Sequence, residues 1–383
     1  MKLDTTSRAL VLSHFMLNPT ISGATSTSIC DYLKQKIDYV LQVEQPFIES
    51  KESKVFVQEY FQGNKMRRHT YTAIKIGGLS YILHVVQNLL ILFRFGLSYD
   101  IVVACDNVSF LSIYLLRKMG FIQHAIYYSV DYVEVRFSNK FVNAIYHYID
   151  RLAIYNSDEN WVVSQAQIDS RKRNNVNIKK ASRFKVVPIG FPVDRKYIKS
   201  VDQVDFYHLV FAGTLRDSAG PSLAVEALPD LLKVFPKLKI TYVGGGDKKP
   251  LIAIAKELGV LSHISIQQNI TDHTKFIKKI ADKSIGIAPY APVEVSISYT
   301  SDPGKIKLYL LCGLPVITTT IATSHTLIEN NMAGISISYN KDQFVKAVIK
   351  ILQNKGKYAQ YKKSAIKLGK SYDTDIIFSK AFK

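Results

Sequence analysis

The chain has 383 residues and a formal net charge of +19, with 47% hydrophobic and 21% charged residues. That apolar content excludes a disordered or fibrous chain, and the length suits two domains of ordinary size. The basic surplus fits a solvated surface or an anionic lipid surface; no helix-turn-helix, zinc-finger or RNA-binding signature points to nucleic acid.

The opening segment contains Asp4 and too short an apolar run for a signal peptide, which points to the cytoplasm. Arg8 to Phe15 reads as a first strand, with His14 near its end as a core or loop histidine. Asn18 to Ser28 is a Gly/Ser/Thr-rich loop containing Gly23 and leading into a helix near Thr27. Ile37 to Val43 and Val55 to Phe61 read as strands, and the basic group Lys65, Arg67 and Arg68 follows. From Ile76 to Phe93 the chain carries no formal charge, at the lower edge of membrane-spanning length. Ser80, His84, Gln87 and Asn88 argue against a span. Leu79, Ile82, Leu83, Val86, Leu89, Leu90 and Phe93 recur at spacings of three and four. That stripe predicts an amphipathic helix, either packed on a sheet or lying in a membrane interface with Lys75 and the basic group beside it.

Asp100 to Cys105 is an unbroken apolar run of the kind buried in a parallel sheet. Phe110 to Met119 and Phe141 to Ile154 read as helices; Gln123 to Tyr128, Trp161 to Ser164 and Phe184 to Pro188 read as strands. Asp131 follows the strand at Tyr128, and a carboxylate at a strand's C-terminal end is costly unless solvated or used. Ile189 to Asp205 is turn-rich and then charged, which marks a boundary. The alternation restarts with strands at His208 to Ala212, Leu238 to Val243, His263 to Gln267 and Ile285 to Pro289. Helices at Leu223 to Val234, Lys249 to Leu258 and Thr274 to Ala281 separate them. The expected fold class is α/β, with two Rossmann-like domains at 1–190 and 207–383, a linker at 191–206, and a last helix able to pack back on the first domain.

Three stretches of the second half carry chemistry. Gly213-Thr214-Leu215-Arg216 ends a strand in a turn where Gly213 permits close approach and Arg216 can pair with phosphate oxygens. Gly244-Gly245-Gly246 is a glycine turn after the next strand, but it lacks the Gly-x-Gly-x-x-Gly spacing of a dinucleotide site. Ser301 to Thr319 reads as a polar turn, a helix opened by Pro303, a C-cap at Gly313, a stop at Pro315 and a buried β-branched strand. The free N–H groups at that helix start, with Lys305 in the first turn, suit a phosphate; the same stretch also reads as an ordinary αβ unit of a parallel sheet. The nine histidines are dispersed, and Cys30, Cys105 and Cys312 sit singly in apolar contexts, so no metal cluster is expected and the thiols read as buried and reduced.

The order Asp302-Pro303-x-Lys305, an apolar helix, then Gly313-x-Pro315-Val316-Ile317 resembles the donor-site motif of GT-B glycosyltransferases, closest to the retaining family 4, or group 1, type. The resemblance implies that Lys305 and the helix start hold a donor diphosphate, with Asp302, Pro303 and Tyr309 in the same motif. The Glu that usually holds the nucleotide ribose is Leu308 here, and its usual partner acid is Thr300. In the first donor-domain loop the usual Arg is Thr214 and the usual Lys is Ala219, so Arg216 takes over the lost charge. Gly244 and Gly245 lie near the nucleotide in this resemblance, and the backbone from Gln268 to Ile270 meets the base. Gly23 approaches the donor sugar. Asp131 matches a catalytic-segment carboxylate, with Val130 where other members have His. What the resemblance implies is a GT-B fold with two domains facing across a central cleft, and a cytoplasmic glycosyltransferase, peripheral on the inner face of the cell membrane. It would move a sugar from an NDP-sugar to a glycan or lipid-linked acceptor, with retention, without cofactor or metal, using Asp131, Lys305 and Arg216. A GT-B-shaped binding subunit and a sugar-nucleotide epimerase are the alternatives.

Overall fold

The computed structural model describes residues 5–15, 25–192, 195–268, 270, 272–293 and 297–383. The chain forms two units, Met1–Pro188 with Ile377–Lys383, and Ile189–Ile376.

The first unit runs β1 (Arg8–Phe15), α1 (Thr25–Leu33), β2 (Tyr39–Pro46), β3 (Lys54–Phe61), β4 (Asn64–Thr72), α2 (Ser80–Phe95), β5 (Tyr99–Ala104), α3 (Asn107–Lys118), β6 (Ile122–Ser129), α4 (Lys140–Asn156), β7 (Glu159–Val162), α5 (Gln165–Arg173) and β8 (Arg183–Val186). Its eight strands are ordered β4-β3-β2-β1-β5-β6-β7-β8. From β2 to β8 neighbouring strands are parallel; β3 and β4 add an antiparallel hairpin. The inner strands are apolar on both faces, so Leu10, Leu41, Val102 and Ala125 are all buried. β4 is a strand that the sequence reading lacks, and it contains the basic group at Lys65. α3 starts three residues before Phe110, because the Asp106 side chain accepts the Ser109 N–H at 2.8 Å and caps the helix. Near the C-terminus, Phe382 stacks on Tyr32 with ring centroids 5.7 Å apart and meets Trp161 edge-on at 4.9 Å.

α2 is built inside out. Ser80, His84 and Asn88 face inward and are buried, whereas Ile82, Leu90 and Phe93 are 63%, 65% and 68% exposed. The polar side chains have partners where they point: Asn88 takes Gln45 at 2.9 Å and Ser112 at 3.0 Å, and His84 meets the Ile74 carbonyl at 2.9 Å. Leu79, Ile82, Val86, Leu90 and Phe93 of the apolar stripe therefore face solvent, whereas Leu83 is half-buried and Leu89 packs against the core. Lys75, expected beside it as a free charge, instead donates to the Ser50 and Glu52 carbonyls at 2.6 Å each, because its ammonium is the donor those two loop oxygens need.

The second unit runs β9 (Asp205–Ala212), α6 (Ser222–Val234), β10 (Lys239–Val243), α7 (Lys249–Glu257), β11 (Ile264–Gln267), α8 (His273–Ile280), β12 (Lys283–Ala288), α9 (Gly304–Leu311), β13 (Val316–Thr319), α10 (His325–Asn330), β14 (Gly334–Ile337), α11 (Lys341–Leu352) and α12 (Lys355–Gly369); α13 (Thr374–Ala381) follows. All strands are parallel, in the order β11-β10-β9-β12-β13-β14. This is the doubly wound order, and the strand direction of travel reverses between β9 and β12. Phe211, Leu228, Ile287, Phe344 and Tyr358 form the core beside that point. Ligands of such sheets sit outside the C-terminal ends of the strands at the reversal.

Candidate functional site

The loops that leave β9, β10 and β12 meet at that reversal. After β9, Gly213 takes φ +118° and its N–H donates to Val243 at 2.8 Å. After β10, Gly244 takes φ +151°, and a Cβ there would lie 2.1 Å from the Gly213 carbonyl oxygen, so only glycine fits. Leu215 N–H donates to Gly245 at 2.8 Å, which locks the two loops backbone to backbone. Gln268 closes the row by donating to the Gly246 carbonyl at 2.7 Å, and Ile270 follows it half-buried. Thr214 and Arg216 are left exposed on the rim.

α9 supplies the cation. Its N-cap is Pro303, with ψ 106°, and the helix proper begins at Gly304. Lys305 points back toward the loops, its Nζ 3.9 Å from the centre of the Phe211 ring and 5.2 Å from that of Tyr290. The Nζ is shielded from solvent and has no hydrogen-bond partner among the described residues. Burial, with Arg216 adding like-charge repulsion, brings the Lys305 ammonium down to about 7. A buried cation without a counter-ion beside free backbone and an exposed arginine is an anion site in wait. Phe211 and Tyr290, which cradle the ammonium, carry no motif; an aromatic two residues past the β12 strand end was the available signal for Tyr290.

Two expected donor contacts are corrected. Tyr309 is wholly buried and lies flat under the sheet, where a Cβ on Gly286 would come within 2.2 Å of its ring. Its hydroxyl accepts from Ala212 N–H at 2.5 Å and donates to Ile287 at 3.2 Å, so both its hydrogen-bonding functions join β9 to β12. Asp302 is also buried; its carboxylate accepts Ile189 N–H at 3.1 Å on one oxygen and pairs with Lys307 through the other, so both oxygens have partners other than Lys305. Leu308 is buried in α9 and offers no polar atom.

In the first unit, Asp131 is exposed just past the C-terminal end of β6. Its flanks are held by α5: Arg171 donates to Ser129 at 2.7 Å, Gln167 donates to the Val130 carbonyl at 3.0 Å, and the Arg171 guanidinium lies 4.0 Å over Tyr132. Arg171 is itself fixed by the buried Asp150 at 2.8 and 3.0 Å. This support was invisible in sequence, since nothing in one dimension pairs Asp150, within a predicted helix, with Arg171. At the end of β1, His14 Nδ1 sits 3.1 Å from Asp106, and His14 Nε2 lies 3.3 Å from His84 Nδ1. Gly23 lies outside the described residues. Among the described residues no group of three or more His, Cys, Asp or Glu is placed to hold a metal ion.

Residues 207–354 match the family model of glycosyl transferases group 1. No curated protein matches the chain in sequence. Solved structures match it over nearly its full length. The sucrose-phosphate synthase of Thermosynechococcus elongatus is 14% identical, with a TM-score of 0.71 and 98% of each chain covered. HepE of Anabaena, in complex with UDP-glucose, is 14% identical with a TM-score of 0.68 and 98% of each chain covered. WaaG, a glycosyltransferase involved in lipopolysaccharide biosynthesis, is 16% identical with a TM-score of 0.63, covering 97% of this chain and 98% of its own. The chain thus has the GT-B fold, and its residues 207–354 are similar to glycosyl transferases group 1.

Proposed function

We propose that this protein is a retaining, metal-independent glycosyltransferase that moves a sugar from an NDP-sugar to a glycan, polysaccharide or lipid-linked acceptor. The observation that carries the reading is the shielded, unpartnered Nζ of Lys305 beside Arg216 and the backbone of Gly213. A diphosphate seated there removes the cost of the uncompensated cation. When the bond from the sugar to the diphosphate breaks, negative charge grows on the leaving oxygens. In this reading Lys305, Arg216 and the N–H groups at the start of α9 meet that growing charge, so they stabilise the transition state more than the ground state. Thr214, Gly244 and Gly245 let the nucleotide approach backbone, and Gln268 and Ile270 lie toward the base. Asp131 is the carboxylate this reading assigns to the reacting sugar. The UDP-glucose complex of HepE and the lipopolysaccharide role of WaaG support UDP-sugars and lipid-linked acceptors as the first to try.

A lipid-linked acceptor places the enzyme on the cytoplasmic face of the cell membrane. The outward apolar face of α2, with Arg94 in its last turn and Arg67 and Arg68 exposed on β4, supports that location. One observation favours a second reading, a binding subunit without catalysis: Leu308 presents no polar atom where the family type has Glu. Thermal shift with UDP, GDP and dTDP and their sugars, followed by transfer assays with and without EDTA, tests both. A ligand at 100 times its Kd adds about 2.7 kcal/mol of stability. Stabilisation with transfer in EDTA is expected. Stabilisation without transfer favours the binding subunit, and no stabilisation by any nucleotide overturns the donor site.

A further inference from the structure

Lys305 and Lys307 are two residues apart on α9 and have opposite fates. Lys305 faces the ligand side without a partner. Lys307, 1% exposed, pairs with the carboxylate of Asp302, 5% exposed, and its ammonium lies 4.6 Å over the Tyr372 ring. The other oxygen of Asp302 takes the Ile189 N–H. Burying both members of an ion pair costs desolvation that their attraction offsets only in part, so such a pair adds little stability over an apolar replacement. Its position suggests another use. Asp302 stands just outside the N-cap, three residues before Lys305. Its charge reaches Tyr290, the ring that also lies under Lys305 Nζ. A carboxylate at this place without Lys307 has Lys305 as an alternative cation, and a Lys305 so paired offers no net charge to an anion.

We infer that Lys307 is a positioning residue: it holds Asp302 away from Lys305 and so keeps Lys305 free for an anionic ligand. With the donor reading above, on which this rests, that ligand is a nucleoside diphosphate. Lys307 need not touch the ligand to set its affinity.

The test is a double-mutant cycle read by calorimetric titration with UDP, or with whichever of GDP and dTDP stabilises the wild type more, and by thermal unfolding as a control on folding. Lys307→Met is expected to weaken binding about tenfold or more, because the freed Asp302 carboxylate turns to Lys305. The double variant Asp302→Asn/Lys307→Met is expected to recover wild-type affinity, since the Asn oxygen still accepts from Ile189 and no carboxylate remains. Lys307→Arg should also recover it. Should Lys307→Met not fold, Lys307→Gln keeps one hydrogen bond to Asp302 and is expected to weaken binding about threefold. Affinity that is the same in all folded variants while their melting temperatures differ overturns the inference, as does a double variant that binds as weakly as the single one. Absence of binding by the wild type to any of the three nucleotides would instead remove the donor reading itself.

Discussion

Gly213 and Lys305 face each other at the reversal point of the second sheet, with Lys305 Cε 3.4 Å from where a Gly213 side chain would begin. The absence of that side chain lets the ammonium lie against the loop backbone. Lys305→Ala and Arg216→Ala are each expected to lower sugar transfer roughly 10²-fold, or about 3 kcal/mol, with the fold intact. Turnover at saturating donor measures this. Wild-type rates in both variants would falsify the placement of the diphosphate.

The Lys305 ammonium, brought down to about 7 by burial and by Arg216, should make donor binding depend on pH. A bound diphosphate favours the charged form, so the lysine takes up a proton on binding when the pH is above 7. Nucleotide affinity should be flat with respect to this group below pH 6 and fall by up to about tenfold per unit above pH 7. Titrations at pH 8 in two buffers of different ionisation enthalpy read the proton directly. Zero uptake would mean that Lys305 does not meet the anion.

The exposed face of α2 should bind anionic membranes. Co-sedimentation with liposomes is expected to require anionic lipid and to weaken as salt rises. It should drop when Arg67 and Arg68 become Ser, and also when Leu90 and Phe93 become Ser. The latter two side chains are exposed, so thermal stability should stay within about 0.5 kcal/mol. Equal binding to neutral and anionic liposomes, or none to either, would rule the surface out.

Glu44 is wholly buried on β2 and accepts Ser26 Oγ at 2.8 Å on one oxygen. Burial raises its carboxyl to about 7. Below its ordinary value the group is protonated in both the folded and the unfolded chain and costs nothing. Between its ordinary value of 4.5 and about 7 the unfolded chain has released the proton while the folded chain keeps it, so stability falls as pH rises through that window and levels off above it, where the folded chain holds a buried carboxylate. Relative to the wild type, Glu44→Gln should be unchanged below about pH 4 and more stable at pH 8.5 by up to about 3 kcal/mol. Urea unfolding at the two pH values reads the difference. The same shift at both pH values would place its cause outside this titration.

The sequence by itself was enough for the parts whose signals are local. Pro303, Gly313 and Pro315 bracket α9 because ring closure and a φ of +72° are properties of single residues. Lys305 was legible for the same reason: a lysine in a first helical turn is recognisable in one dimension. Alternation of apolar strands and helices likewise announces parallel sheets, since a strand buried on both faces has to be apolar throughout. β4 escaped because Asn64–Thr72 is polar, and its only local mark is the turn at Gln62 and Gly63, with φ of 47° and 77°. Tertiary structure alone decided which side of α2 faces water. Periodicity shows that a stripe exists but not what lies opposite it, and here the partners of His84 and Asn88 come from β1, β2 and α3. It also decided that Asp302 takes Lys307 and leaves Lys305 alone. Three residues so close in sequence offer both pairings, and the choice is made by which ammonium the surrounding packing buries against the carboxylate.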